Sequence, residues 1–401
     1  MVFDVVRFRS EFPALAHGWA HFDGPGGTQT PVAVAEAIAA TLMEPLSNRG
    51  TIGRSEELAE AAVHGFRLAV ADLVDGHPRA VVHGRSATQL IYDFSRWLSR
   101  DWRPGDEVIV TRLDHDANIR PWVQAAERSG ATVRWAEIDP QTGELPADAV
   151  SGLLSDRTRV VAVTAASNLI GTMPDVPAIA AAAHDAGALV FVDGVHYTAH
   201  ELPELPALGA DFFVCSPYKF LGPHCGVLAA SAPETLEDLA PDKLLPSTNA
   251  VPERFEFGTL PYETLAGVTA AIDALAELEE DAEGSRRERL AASYAALHEH
   301  ETRLRGILEP AVAALPGATV HSRAGRRTPT LLATFAGHDA EALYRGLAER
   351  RVLAPAGNFY ALELSRALGL GDAGGLRVGL APYTDDDDVE RLLDALRALL
   401  G

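Results

Sequence analysis

Leu189-Val190-Phe191-Val192-Asp193-Gly194 is the stretch of this 401-residue chain that decides its fold. Four consecutive apolar residues end on a carboxylate and a glycine. A strand with one wet face alternates polar and apolar residues, so an unbroken run reads as a strand covered on both faces. Val160-Val161-Ala162-Val163 repeats the pattern. Outward from these two runs, strands are expected at 80–83, 107–112, 132–137, 159–165, 188–193, 211–215 and 226–230. Ala-rich helical stretches separate them at about 87–100, 117–129 and 175–186, the last stopped by Gly187. The expected class is α/β with a mostly parallel sheet.

From about Leu260 the texture changes. An Ala/Leu/Glu/Arg-rich pattern runs to Ala314, broken near Gly284-Ser285, and predicts two helices. Strands at 319–321, 330–335 and 376–380 and helices at 339–350 and 385–399 suit a smaller α+β domain. The expected division is a large α/β domain over 20–270 and a small domain over 271–401 joined by segment 1–19. Asp385 to Asp388, four acids in a row, read as the acidic start of a helix.

Composition narrows the function classes. Lys+Arg 34 against Asp+Glu 56 gives −22, which disfavours nucleic acid and anionic membrane surfaces as partners. Cys215 and Cys225 are the only cysteines, too few for a disulfide framework, and no CxxC or His/Cys cluster predicts a metal. No run of about 18 apolar residues predicts a membrane span. Met1 to Arg7 lacks the basic-then-apolar order of a secretion signal, so a soluble, cytoplasmic protein is expected.

Ser216-Pro217-Tyr218-Lys219 follows the expected strand at 211–215. A lysine beside a buried strand end is desolvated, which lowers its pKa and suits it to Schiff-base formation. Asp193, ending the most apolar strand, needs a cationic partner. Pyridoxal 5'-phosphate (PLP) offers an aldehyde to the first and a pyridinium nitrogen to the second. Singly, a surface lysine and a helix-capping aspartate would explain these residues. Together, at the carboxyl ends of neighbouring strands, they point to a cofactor.

At these positions the sequence resembles the PLP-dependent class V aminotransferase-fold enzymes (aspartate aminotransferase-like, fold type I). The cysteine desulfurase-like branch is the nearest, in order from about Arg7 to the C-terminus. Phe8-Arg9-Ser10-Glu11-Phe12-Pro13-Ala14-Leu15 is similar to the family's opening segment. His21-Phe22-Asp23-Gly24-Pro25-Gly26-Gly27-Thr28-Gln29 resembles its "LDxAAxxQ" stretch, which implies a substrate approach at Gly27. Asp114-His115-Asp116-Ala117-Asn118 resembles "EHHAN", which implies that His115 stacks on the cofactor ring. Ser167-Asn168 resembles "SN", with Asn168 on the phenolic oxygen. Val192-Asp193-Gly194-Val195-His196 resembles "VDGAQ", with His196 in place of Gln. Ser216-Pro217-Tyr218-Lys219 resembles "SxHK", with Tyr218 replacing a phosphate-binding His. Arg377 falls where the family's arginine holds the substrate carboxylate, a bidentate task that suits a guanidinium.

Gly84-Arg85-Ser86-Ala87-Thr88 lies between a strand and a helix, where phosphate is favoured, and resembles "RGTTE". Arg85, Ser86 and Thr88 are therefore candidates, with helix capping as the ordinary role of Ser86. Glu256-Phe257-Gly258-Thr259 resembles "EAGT", in which the Thr reaches the phosphate of a partner copy. The resemblance thus implies a homodimer with active sites at its interface.

The sequence departs from the desulfurases in one place. Where they carry a cysteine on a loop before the last strands, this chain reads Ala354-Pro355-Ala356-Gly357-Asn358-Phe359-Tyr360-Ala361-Leu362. Asn358, Phe359 and Tyr360 cannot supply a thiolate. Asn358 and Tyr360 stand as substrate contacts, and Tyr360 either donates a proton or walls the pocket. Cys215 reads as buried and inert, and Cys225 as packing near the lysine. The resemblance implies a Lys219 aldimine, Lys219 as base at Cα, Asp193 at the ring nitrogen and His115 over the ring. The expected activity is a C–S lyase or β-eliminase on a small L-amino acid without a protein persulfide. The alternatives are an aminotransferase or epimerase on the same scaffold, and a cofactor-binding regulator without turnover.

Overall fold

The computed structural model describes residues 3–401. In chain order its strands are β1 (Ala20–His21), β2 (Val81–Gly84), β3 (Glu107–Thr111), β4 (Thr132–Ala136), β5 (Thr158–Thr164), β6 (Leu189–Asp193) and β7 (Phe212–Cys215). There follow β8 (Gly226–Ala230), β9 (Ala318–Val320), β10 (Thr330–Phe335), β11 (Val352–Leu353), β12 (Ala356–Gly357) and β13 (Gly375–Gly379).

Seven of these form the main sheet in the order β2-β8-β7-β6-β5-β3-β4. The five strands from β7 to β4 are parallel, and β8 alone runs against both of its neighbours. The unbroken apolar runs are explained by what covers each face. Val160, Ala162, Phe191, Phe212 and Val214 pack into one core, and Val161, Val163, Val190, Val192 and Phe213 into another. Successive side chains point to opposite faces, and here both faces are dry.

A second sheet, ordered β12-β13-β10-β9, is antiparallel throughout. Helices Ala340–Glu349 and Asp386–Leu400 and the later turns of Arg286–Ala313 contribute to its core. β1 pairs in parallel with β11, and Asp23 bridges to Gly379, so the N-terminal segment is tied to this second sheet.

The expected helix at 117–129 starts later, at Arg120, after a 3-10 turn over Asp116–Asn118. Pro121 sits in its first turn, where a residue without an N–H is tolerated, and so marks the helix start. The break near Gly284-Ser285 is a capping box: Glu288 N–H donates to Ser285 Oγ at 3.3 Å and Ser285 N–H to Glu288 Oε2 at 2.8 Å. Asp385 caps the last helix by accepting from Asp388 N–H, as its acidic start predicts. Helices Val32–Met43 and Arg54–Val74, not marked out in the sequence, pack against Tyr262–Ala276.

Candidate active site

The carboxyl ends of β3, β5, β6 and β7 lie along one edge of the main sheet. β2, antiparallel to β8, ends at that same edge. This gathers His115 after β3, Asn168 after β5, Asp193 at the end of β6, Lys219 after β7 and Ser86 after β2. Sheets of this kind bind ligands at that edge because the loops there are free to diverge. Two cavities meet here. One of about 80 Å³ is lined by Ser86, Asp193, His196 and Ser216. The other, of about 570 Å³, is lined by Asp23, Arg120, Tyr360 and Arg377. Thr88, His115, Asn168, Tyr218 and Lys219 face both.

Lys219 is 6% exposed, and its Nζ makes no hydrogen bond or ion pair with any described residue. Burial and the nearby Arg377 lower its pKa to about 8, against the pull of Asp193 and Asp23. Asp193 is buried, and burial raises its pKa. Its carboxylate accepts one hydrogen bond, from Val195 N–H at 2.9 Å. Among the described residues no cationic side chain pairs with it.

His115 Nδ1 accepts from Ala117 N–H at 3.0 Å. Burial, with Lys219 and Arg377 nearby, lowers its pKa to about 3, so the ring is neutral with its proton on Nε2. Tyr360 lies against it, ring centroids 5.4 Å apart and inclined by 30°, and remains 74% exposed. His196 is buried with Nε2 2.9 Å from Thr328 Oγ1 and 3.0 Å from Thr330 Oγ1, leaving Nδ1 without a partner. Asn168 Nδ2 donates to the Phe359 carbonyl at 2.9 Å, and its Oδ1 is buried without a partner.

Arg377 projects from β13 and is 2% exposed. Its Nη1 donates to the Asn168 carbonyl at 3.0 Å and its Nη2 to Asp23 Oδ1 at 2.6 Å. The ring of Phe359 covers one face of the guanidinium, and Nε has no partner. Tyr218 stacks on His224 with centroids 4.8 Å apart. Ser86 takes its ordinary role as helix cap, accepting from Gln89 N–H at 3.1 Å, while also lining the smaller cavity.

Three expected site residues, Arg85, Gly27 and Asn358, lie elsewhere, and Thr259, expected at a partner copy's phosphate, lies apart from Lys219 of its own copy. Arg85 is exposed and faces a separate cavity of about 330 Å³ with Gln89, Cys225 and Thr259; it lies before the Ser86 cap of the helix that starts at Ala87. Thr259 lies on the wall of that same third cavity. Gly27 packs beneath the Tyr218 ring and lines neither cavity of the site. Asn358 spends its amide on the loop itself, donating to the Asp372 carbonyl and accepting from Tyr360 N–H. Cys225 and Cys215 are both buried, and neither lines a cavity containing Lys219. Three residues escaped the sequence reading: Asp23 on Arg377, and the Asp116–Arg120 pair, which Glu363 extends at 3.4 Å. The motif around Asp23 gave its position, and its ion pair joins residues 354 positions apart.

Comparison with known proteins agrees with this geometry. Residues 20–392 match the class V aminotransferase family. The uncharacterized protein MT3887 of Mycobacterium tuberculosis is 36% identical over the whole of both chains. A probable cysteine desulfurase of Pseudomonas aeruginosa is 31% identical over 97% of this chain and 96% of its own. The crystal structure of the Escherichia coli cysteine desulfurase CsdA superposes with a TM-score of 0.86 at 27% identity, covering all of both chains. With the α/β fold and the Lys219–Asp193 edge as described, the chain belongs to the class V aminotransferase family of PLP-dependent enzymes and is similar to its cysteine desulfurases.

Proposed function

We propose that this protein binds PLP at Lys219 and eliminates the β-substituent of a small L-amino acid, acting as a C–S lyase without a protein persulfide. The residues present fit the cofactor. Asp193 is a buried carboxylate with a single backbone N–H partner, Lys219 Nζ has none among the described residues, and Asn168 Oδ1 and His196 Nδ1 are buried and unpartnered around the same small cavity. Buried polar groups are rarely left so, and four round one cavity fit a polar ligand. The unpartnered atom of Asn168 is its oxygen, so holding a phenolic oxygen there needs the amide turned.

When bound, the cofactor supplies an aldehyde that condenses with amines and a ring that acidifies the Cα–H bond. Lys219 Nζ, with its pKa lowered to about 8, then serves as general base at Cα. Asp193 would hold a proton at the ring nitrogen, and His115, whose pKa burial lowers to about 3, would add no charge beside the ring. Arg377 holds the substrate carboxylate. The electron pair of the broken Cα–H bond expels the β-substituent, which leaves with a proton. The remaining skeleton hydrolyses to a keto acid and ammonia.

The observation that carries elimination over desulfuration is the absence of a thiol from the cavity lining around Lys219 among the described residues. Tyr360, a phenol beside His115, favours the second reading, epimerisation or transamination, since it can return a proton. On this reading residues 20–270 carry the cofactor. Thr259 of one copy serves the phosphate pocket of another in a cytoplasmic homodimer.

The test is to incubate the PLP-loaded protein with L-cysteine and related amino acids and identify the products by mass spectrometry. Pyruvate, ammonia and sulfide support elimination. Alanine with a protein-bound persulfide overturns it. An amino group moved, or a centre inverted, with no thiol turned over hands the site to the second reading.

A further inference from the structure

Arg377 meets a carboxylate before any substrate arrives. Asp23 Oδ1 lies 2.6 Å from its Nη2, and the Asp23 side chain is 43% exposed on the larger cavity. Asp23 Oδ2 makes no hydrogen bond to any described residue. This placement is built into the backbone. Asp23 bridges to Gly379, two positions along β13 from Arg377, and a Cβ at position 26 would collide with both Asp23 carboxylate oxygens. Glycine at 26 leaves room for that carboxylate. The other charges of the cavity wall are engaged elsewhere, since Asp116 and Glu363 pair with Arg120. Lys219 is the remaining neighbour, and Asp23 favours its charged form.

We propose that Asp23 is a specificity-determining residue that makes Arg377 accept a carboxylate only when the same molecule brings an ammonium group, so that the site selects zwitterionic α-amino acids over keto acids and simple carboxylates. This rests on the reading that Arg377 holds the substrate carboxylate. A carboxylate docking on the free edge of Arg377 lies beside the like charge of Asp23, and like charges a few ångströms apart near a protein surface repel strongly. A zwitterion carries its own counter-charge. Its ammonium pairs with the free Asp23 Oδ2 while its carboxylate takes the remaining guanidinium donors. The consequence bears on the reaction. An aminotransferase must bind a keto acid at this arginine in its second half, whereas an eliminating enzyme only releases one.

The test uses two probes of one shape, neither of which has a primary amine to condense with the cofactor. N,N-dimethylglycine carries an ammonium N–H, and 3-methylbutyrate carries C–H in its place. Their dissociation constants for the PLP-loaded protein are measured by calorimetry. The wild type is expected to favour dimethylglycine by at least about tenfold, the factor that roughly 1.4 kcal/mol gives. In Asp23→Asn that ratio falls to about one, with 3-methylbutyrate binding more tightly. Should Asp23→Asn fold poorly, Asp23→Ser removes the same charge. Equal affinities in the wild type, no binding of either probe, or a ratio unchanged in the variant overturns the proposal. Arg377→Gln separates it from the underlying reading: if both probes still bind that variant as they bind wild type, the assignment of the carboxylate to Arg377 is what fails.

Discussion

The guanidinium carbon of Arg377 sits 3.6 Å from the centroid of the Phe359 ring, closer than any other cation over an aromatic face among the described residues. Phe359 reaches it from a backbone at φ +51°, and Tyr360 follows at +61°, a region that bulky side chains avoid. The loop is held there by Asn168 on the Phe359 carbonyl and by Asp116 N–H on that of Tyr360. The ring shields one face of the cation and leaves the edge of the guanidinium to hydrogen bonds in its plane. Phe359→Ala is therefore expected to raise KM for the amino-acid substrate by about five- to thirtyfold, as loss of roughly 1–2 kcal/mol from a desolvated cation–π contact implies. kcat should change less than twofold. Steady-state kinetics on the purified variant check this, and an unchanged KM would contradict it.

Lys219 gives a pH-dependent stability. Its pKa is about 8 in the folded protein and 10.5 as the free side chain. The unfolded chain therefore keeps this proton to higher pH, and wild-type stability rises as the pH climbs from about 8 to 10.5. Lys219→Met removes that penalty. The cofactor-free variant is expected to be more stable than wild type by on the order of 3 kcal/mol at pH 7, with the advantage shrinking towards pH 10.5. Urea unfolding at pH 7, 8.5 and 10 measures it. A difference independent of pH would show that Lys219 titrates normally.

Glu256 was read from the sequence as part of a motif leading to Thr259. In the structure it is a buried carboxylate that accepts from Arg67 Nη2 at 2.8 Å and from His83 N–H at 3.0 Å. Arg67 keeps Glu253 at 2.6 Å, so Glu256→Ala leaves the His83 N–H and one arm of Arg67 unpaired rather than a bare charge, and should cost about 1–3 kcal/mol. Chemical denaturation would register this as a lower midpoint with an unchanged slope.

Burial pushes the Cys225 thiol up to about 12, and the Cys215 thiol is raised further by burial and by Cys225 and Asp193. Neither is a nucleophile at neutral pH. Ellman's reagent should find no reactive thiol in the native protein and two after denaturation. Cys225→Ala should keep at least about half of the proposed lyase activity, since a small hydrophobe is what is lost there. Loss of turnover in that variant would restore a sulfur-transfer role.

The strands were legible because their signal is local. Val160-Val161-Ala162-Val163 and Leu189-Val190-Phe191-Val192 record two dry faces in consecutive residues, whatever the rest of the chain does. Lys219 and Asp193 were legible for a related reason: each sits at or just after a strand end, so placing the strand places the residue, whereas His115 and Asn168 came with the family resemblance. Arg85 faces another cavity, and the direction of a side chain in a loop is not written in its residue type. Asn358 is spent on its own loop, which residue types alone do not reveal. Asp23 was quoted within a motif without a role, because its ion pair with Arg377 spans nearly the whole chain.

That span has a consequence for how the protein comes into being. The strand ends around Lys219 and Asp193 belong to residues between 81 and 230, so a nascent chain carries that edge well before synthesis ends. Asp23, Arg377 and the Phe359 loop come together only when β13 has left the ribosome and captured the N-terminal segment at Gly379. On the proposed reading, the end that would hold the substrate carboxylate is thus completed last. A chain whose synthesis stops before β13 lacks Arg377 and the Asp23–Gly379 bridge, whatever has formed around Lys219.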